Sequence, residues 1–287
     1  MSEISAPPIP HTPFPLPGTI AFIGGGNMAR SLVGGLIARG VAPQALRVAE
    51  PVAALRDALA SDFGVQVFDT ANAAVEGAGL WLLAVKPQVM RKVCDDLSAA
   101  ACAQQPLVVS IAAGITAGQL QRWLGPGTAV IRAMPNTPAL LGAGVTGLYA
   151  TAQVDPGGRE LAEGLLASAG RTVWIEDEAL MDAVTAVSGS GPAYVFLLAE
   201  AMEAAAREQG LSGDAARTLV LHTLLGASRM LTESDATPAE LRRRVTSPNG
   251  TTHAAIEAFQ SGGFEALVGN AIRAASERGR QLSAAND

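Results

Sequence analysis

The sequence predicts an α/β protein: a doubly wound sheet in the first part, then a second part built of helices alone. Three observations carry this. Short apolar, β-rich runs alternate with amphipathic segments up to about residue 178, strands then stop, and the remainder reads as helix after helix. Hydrophobic residues make up 49% of the 287 and charged residues 16%, a balance that excludes disorder for most of the chain and suits a deeply buried core. At this length two domains are expected rather than one.

The elements follow in order. Residues 1–17 carry Pro7, Pro8, Pro10, Pro13, Pro15 and Pro17, a density that forbids regular structure and predicts a disordered, extended tail. Order is expected from residue 19: a strand over 19–23 and a helix to Arg39, a strand over 46–50 and a helix over 53–63, then a strand over 65–68. The series continues with strands at 80–85, 107–111 and 129–133, separated by helices after Pro87 and around 116–124. Alternation of this kind predicts parallel strands covered on both faces. Two later β-like runs, 144–149 and 172–175, flank a helical pattern around 158–169 and are expected to complete the sheet, giving a first domain over 18–178. In the second domain, 179–287, helices are expected at 182–187, 192–209, 213–231, 238–245, 252–260 and 264–282. Pro192 suits a first helical turn and Gly210 a C-terminal cap. The run Ala193-Tyr194-Val195-Phe196-Leu197-Leu198-Ala199 is apolar on more than one helical face, which predicts that a second subunit covers it.

Several classes of function are set aside on charge and composition. A net charge of -6 and pI near 5.2 argue against nucleic acid or an anionic membrane as the main partner. Cys94 and Cys102 lack the number and spacing of a disulfide framework or a CxxC pair, and His11, His222 and His253 are scattered, so no metal site is expected. The start lacks a basic segment followed by an apolar one, and no uncharged apolar run approaches membrane-spanning length; a cytoplasmic protein is expected.

Ile23-Gly24-Gly25-Gly26-Asn27-Met28-Ala29 stands between the first strand and first helix and matches G-x-G-x-x-A. Glycine there permits a tight turn and close approach of backbone to a pyrophosphate, and Ala29 lets helix and strand pack, so the first domain reads as a Rossmann-like dinucleotide site with Gly24, Gly25, Gly26, Asn27, Met28 and Ala29 at the cofactor. Glu50, ending the second strand, stands where a carboxylate can accept from a ribose diol, which leans toward NAD; Arg56, farther on, is within range of a 2′-phosphate, so both cofactors stay open. Ala84-Val85-Lys86-Pro87 ends the fourth strand, with Lys86 read as a cofactor neighbour rather than a proton donor. Asn136, in Met134-Pro135-Asn136-Thr137-Pro138, is a candidate to orient the nicotinamide amide or the substrate, or an ordinary turn residue.

The run Val245-Thr246-Ser247-Pro248-Asn249-Gly250-Thr251-Thr252 interrupts the helical part with hydroxyl and turn residues. Pro248 and Asn249-Gly250 end one helix, and Thr251 or Thr252 is expected to cap the next, so N–H groups and hydroxyls converge where an anion is favoured. Beside it, His253 reads as a first-turn surface or packing residue and Arg242-Arg243-Arg244 as a solvated helix face, while Glu200 and Glu203 in the helix after Pro192 stay open between the two kinds of role. Ser188-Gly189-Ser190-Gly191 follows no strand and reads as a domain junction.

Taken together, Ala84-Val85-Lys86-Pro87, Met134-Pro135-Asn136-Thr137-Pro138, Ser188-Gly189-Ser190-Gly191-Pro192-Ala193-Tyr194 and the run from Val245 to Thr252 resemble, in this order, the pyrroline-5-carboxylate reductase family, over roughly residues 18–284. The resemblance implies reduction of 1-pyrroline-5-carboxylate to L-proline with NADPH or NADH, a Rossmann domain joined to an all-helical dimerisation domain, and a homodimer that sometimes assembles into decamers. It implies that Ser247, Asn249, Gly250, Thr251 and Thr252 form the substrate loop, with the Thr252 hydroxyl facing the imine nitrogen. Asn249 stands where glycine is common in that family, Glu50 is acidic where cofactor preference is set, and the proline-rich tail is extra. A β-hydroxyacid dehydrogenase would share the architecture but needs a catalytic lysine in its second domain, and no lysine follows residue 178. A non-catalytic sensor of cofactor redox state is the remaining alternative.

Overall fold

The computed structural model describes residues 18–286. Eight strands form one sheet: β1 (Ile20–Ile23), β2 (Leu46–Ala49), β3 (Gln66–Phe68), β4 (Leu80–Leu83), β5 (Leu107–Ser110), β6 (Ala129–Met134), β7 (Gly144–Ala150) and β8 (Gly170–Trp174), in the order β3-β2-β1-β4-β5-β6-β7-β8. The expected extended tail, 1–17, lies outside the described residues.

Side chains on a strand alternate between faces, so a sheet buried on both sides must be apolar at every position. That is what β1 and β4 show, each buried along its whole length. Ile20, Phe22, Leu46, Val48, Leu80 and Leu82 point to one face, where Leu32, Val33 and Leu36 of α1 (Asn27–Ala38) and Leu165 and Leu166 of α6 (Pro156–Leu166) cover them. Ala21, Ile23, Trp81, Leu83, Val108 and Val130 point to the other, against Met90, Cys94 and Leu97 of α4 (Pro87–Gln104) and Leu120 and Leu124 of α5 (Ala117–Leu124). Cys94 belongs to this core; burial, helped by the charge of Asp95, pushes its thiol up to about 12, so it stays neutral. The remaining helices of this part are α2 (Ala53–Phe63) and α3 (Ala71–Val75). At five residues α3 is too short to show a period, and the sequence does not reveal it.

Two strands depart from the parallel pattern. β7 runs antiparallel to β6, and β8 follows β7 in parallel. Only residues 135–143 separate β6 from β7, fewer than the dozen or so that a crossover needs, so the chain folds straight back through a 3-10 turn at Thr137–Leu141. α6, its first turn capped by Asp155 accepting from Gly158 N–H at 2.7 Å, then makes the crossover to β8.

The chain divides into two compact units. One extends to Gly189 and takes back the chain from Ala275; the other is Ser190–Ala274. The first therefore continues past residue 178, where strands end. Arg132 of β6, its side chain only 4% exposed, explains why: Nη1 lies 3.3 Å from Glu178 Oε1 and Nη2 3.4 Å from Asp182 Oδ1, while Glu178 also accepts the Ala117 N–H at 2.7 Å. The expected helix over 182–187 is α7 (Met181–Val184) followed by a π turn at Thr185–Gly189. Thr185 and Ser188 donate their hydroxyls to the carbonyls of Met181 and Val184, the back-bonding that disturbs a regular ladder. The end of α12 (Phe264–Ala285) belongs to the first unit too: Gln119 Nε2 donates to Ser283 O, Asn286 Nδ2 to Gly114 O, and Gly279 lies against Asp182.

The second unit holds α8 (Gly191–Glu208), α9 (Gly213–Glu233), α10 (Pro238–Arg244), α11 (Thr251–Ser261) and the start of α12. Pro192 stands in the first turn of α8 and Gly210 follows its C-cap at φ +92°, as expected. Its helices bury little: Phe196, Leu197, Leu219, Leu225 and Leu267 are all more than half exposed. No helix among the described residues is long and apolar enough to cross a membrane.

Arg132→Leu should destabilise the first unit by about 3 kcal/mol in urea unfolding, because Asp182 and Glu178 lose the cation that compensates them in a low-dielectric setting; a change below about 1 kcal/mol would mean that the ion pairs are dispensable.

Candidate active site

Two stretches, one in each unit, have the properties of ligand sites. In the first unit the strand order reverses beside β1, where β2 lies on one side and β4 on the other, and the chain leaves β1 there through the glycine turn. Gly24 has φ +104° and donates to Ala49 O at 2.9 Å, while a Cβ placed on it would stand 2.8 Å from Ala84 O. No side chain fits between those two strand ends. Gly25 is equally enclosed, its N–H held by Glu50 Oε2 at 3.0 Å and its Cα packed toward Leu59. Gly26 is exposed, with open space where a Cβ would be, and forms the N-cap of α1 without any side-chain cap. The first-turn N–H groups of Asn27, Met28 and Ala29 consequently face outward for an anion, and Ala29 is buried where the helix meets the sheet. A cradle that excludes a Cβ at Gly24 and Gly25 and opens on an uncapped helix terminus fits a pyrophosphate.

Around this turn the other strand ends gather. Ala84 N–H donates to Ile23 O at 2.8 Å, so Ala84 and Val85 border the glycine turn; Lys86 is the exposed N-cap of α4, with Pro87 in its first turn. Glu50 lies at the end of β2 but does not hold its carboxylate out, since Oε2 takes Gly25 N–H and Oε1 takes Val52 N–H at 3.0 Å. Asn136 requires a correction as well. Its Oδ1 accepts the Val145 N–H at 3.0 Å and its Nδ2 donates to Ser188 O at 3.1 Å, so the amide expected to orient a nicotinamide or substrate is taken up by the protein's own backbone. The contact joins two motifs the sequence shows apart: Met134 lies so close that a Cβ on Gly189 would be 2.5 Å from its Cε. Nothing in the spacing of residues 134–138 and 188–191 foretells that docking.

In the second unit, α10 opens on a capping box, with Thr237 and Glu240 each accepting from the other's backbone. The chain leaves α10 through Thr246, whose hydroxyl donates to Arg242 O, and turns at residues 247–250, closed by Gly250 N–H donating to Ser247 O at 3.0 Å. Asn249 has φ +60°, the left-handed region, which Asn tolerates better than any residue except glycine. That is the physical reason glycine and asparagine can exchange here. The expected threonine cap is corrected: Gly250 is the N-cap of α11 and no side chain caps it, so Thr251 and Thr252 are the first two helical residues. Their N–H groups lack intrahelical partners, and the Thr252 side chain belongs to a half-buried residue while Thr251 and Ser247 are exposed. His253 Nδ1 lies 3.8 Å from Glu257 Oε2 on the next turn, Arg242, Arg243 and Arg244 are exposed, and Glu203 pairs with Arg207 and Arg217. The three arginines are solvated as expected, while Glu203 and His253 are half-buried.

A family model described as pyrroline-5-carboxylate reductase dimerisation matches residues 178–282, and one described as NADP oxidoreductase, coenzyme F420-dependent, matches residues 19–114. The pyrroline-5-carboxylate reductase of Pseudomonas aeruginosa is 53% identical over 92% of this chain and 96% of its own. Among solved structures, a pyrroline-5-carboxylate reductase from Coxiella burnetii superposes with a TM-score of 0.89 at 39% identity, covering 93% of this chain and 98% of its own. A Plasmodium falciparum pyrroline carboxylate reductase with NADP bound gives 0.82 at 26% identity, covering 93% and 98%.

Because residue 249 is left-handed, Asn249→Gly should leave thermal stability nearly unchanged, whereas Asn249→Val should cost about 1–2 kcal/mol, the penalty of forcing a branched side chain into that region. Equal melting temperatures for Asn249→Val and the unaltered chain would show that the turn is not held as described.

Proposed function

The chain belongs to the pyrroline-5-carboxylate reductase family, and on that premise we propose how its residues reduce 1-pyrroline-5-carboxylate to L-proline by hydride transfer from NAD(P)H, the last step of proline biosynthesis. The observation that carries the assignment is the 53% identity to a reductase of that name over 92% of the chain, a span that includes both the glycine turn and the loop before α11. Bound NAD(P)H supplies the hydride, delivered to carbon 5 of the ring. Gly24, Gly25, Gly26 and the first turn of α1 hold its pyrophosphate, with Asn27, Met28, Ala29, Ala84, Val85, Lys86 and Pro87 lining the rest. In the second unit, Ser247, Asn249, Gly250, Thr251 and Thr252 hold the substrate, the free N–H groups at the start of α11 taking its carboxylate.

The chemistry explains the residues the chain does without. A protonated imine is already electrophilic, so its carbon accepts a hydride without a strong acid nearby, and the product amine keeps the proton the imine carried. What the protein contributes is placement. The Thr252 hydroxyl oxygen accepts from the imine N–H, fixing the ring's orientation, and no lysine is needed in the helical unit, where the sequence has none. A hydroxyacid dehydrogenase could not work that way, because an alcohol must lose its proton to a base.

The exposed apolar faces of α8 and α9 are those a second copy covers, giving a homodimer through the dimerisation unit, and beyond it a decamer of five such dimers. We infer a cytoplasmic location, in keeping with a chain whose described helices include none long and apolar enough to cross a membrane.

Incubated with 1-pyrroline-5-carboxylate, the purified protein should oxidise NADPH or NADH at 340 nm and yield L-proline; a folded preparation inactive with both cofactors would overturn the assignment. Thr252→Ala should lower kcat about tenfold or more, the loss of one positioned hydrogen bond, at an unchanged Kd for cofactor. Sedimentation should return at least the mass of two chains.

A further inference from the structure

An acidic residue at the end of the second strand of a dinucleotide fold ordinarily accepts from the ribose diol and marks NAD. Glu50 has that position and a different attachment. Both its carboxylate oxygens accept main-chain N–H groups, Gly25 on one side and Val52 on the other, and the residue is 8% exposed. Gly25 is packed onto it: a Cβ there would stand 3.2 Å from Glu50 Cβ and 2.6 Å from Leu59 Cδ1. The carboxylate is a strut under the glycine turn rather than an acceptor extended toward solvent.

The cation at this corner is Arg56, in the first turns of α2. Its Nη1 donates to Glu50 O and to Pro51 O, each at 2.8 Å, which pins the guanidinium to the tip of the turn between β2 and α2. A guanidinium carries five N–H donors in a rigid fork. Those of Nε and Nη2 make no bond to another described residue, and the residue is half-buried. The N-terminus of α2, beginning at Ala53 with no side-chain cap, adds unpaired N–H groups at the same corner.

We propose that Arg56, held in place by the carbonyls of Glu50 and Pro51, binds the 2′-phosphate of NADPH, and that Glu50 is a positioning residue for the glycine turn, so that this chain discriminates for NADPH although its second strand ends in an acid. The proposal rests on the reading of the protein as an NAD(P)H-dependent reductase. A 2′-phosphate meets two free donors of a fixed fork, the geometry in which arginine binds phosphate best, and the strut's charge is already shared between two N–H groups.

The test is equilibrium binding of NADPH and NADH to the full-length protein, followed by nicotinamide fluorescence and so independent of turnover. The unaltered chain should bind NADPH about tenfold or more tightly than NADH, and Arg56→Ala and Arg56→Gln should weaken NADPH by about that factor with a much smaller effect on NADH. Glu50→Gln, which keeps one acceptor where two are needed, should weaken both cofactors by a common factor and leave their ratio unchanged. A ribose-reading Glu50 would instead lose NADH selectively. Tighter binding of NADH by the unaltered chain, equal losses in the Arg56 variants, or a ratio shifted toward NADPH in Glu50→Gln would each overturn the proposal. Should the Arg56 variants fail to fold, competition on the unaltered chain decides: 2′,5′-ADP displacing NADPH at about a tenth of the concentration required of 5′-AMP supports it, and equal potency overturns it. Failure of the reductase assignment would look different, since cofactor binding would keep its ratio while 1-pyrroline-5-carboxylate brought no oxidation.

Discussion

The constraint on which the dinucleotide turn depends lies at Gly24, where a single Cβ would collide with the carbonyl of Ala84. Three strands depend on it. β1 hydrogen-bonds with β2 on one side and β4 on the other, and its chain can leave the sheet only by passing between their ends, with Gly24 N–H on Ala49 O and Ala84 N–H on Ile23 O. Because no side chain fills that gap, α1 starts directly above the reversal in strand order, and its unpaired N–H groups are aimed at the one crevice a parallel sheet offers a ligand. The apolar residues on both faces of β1 and β4 keep the strands packed, so the gap stays narrow and the turn keeps its shape.

The helical unit answers to a different constraint. α11 opens on Gly250 with no side chain to quench its terminus, and the turn before it relies on a left-handed residue at 249. A reaction that needs only orientation of an electrophilic imine suits such a site, made of main-chain donors and one hydroxyl, better than one that needs a proton taken from an alcohol. The same unit leaves Phe196, Leu197, Leu219 and Leu225 largely uncovered, as suits the dimerisation model it matches.

Much of this was legible from residues alone, for reasons that can be named. Strands buried on both faces announce themselves as unbroken apolar runs, the glycine turn by its spacing between a strand and a helix, and the loop at 245–252 by residues a helix interior avoids. Less legible were features that depend on distant chain. α3 is too short to display a period. The reversal of β7 follows from the brevity of the 135–143 connection, which the alternation of strands and helices does not weigh. Arg132, the buried cation that holds Glu178 and Asp182, looks in the sequence like one more charge in a strand, and nothing nearby marks its partners 46 and 50 residues away.

Residue type and order by themselves determined the α/β class, the dinucleotide turn, the change to helices after 178 and the break in the helical pattern at 245–252, because each is a local pattern of spacing, turn chemistry or apolar period. Tertiary structure alone decided what the polar side chains at the strand ends do. Glu50 and Asn136 both stand where a ligand is expected, yet one carries the glycine turn from below and the other ties Val145 to Ser188, since a buried polar group binds whichever backbone N–H or carbonyl the fold brings within about 3 Å. A sequence states which residue occupies a strand end; the direction in which its hydrogen bonds point is set by neighbours that only the folded chain supplies.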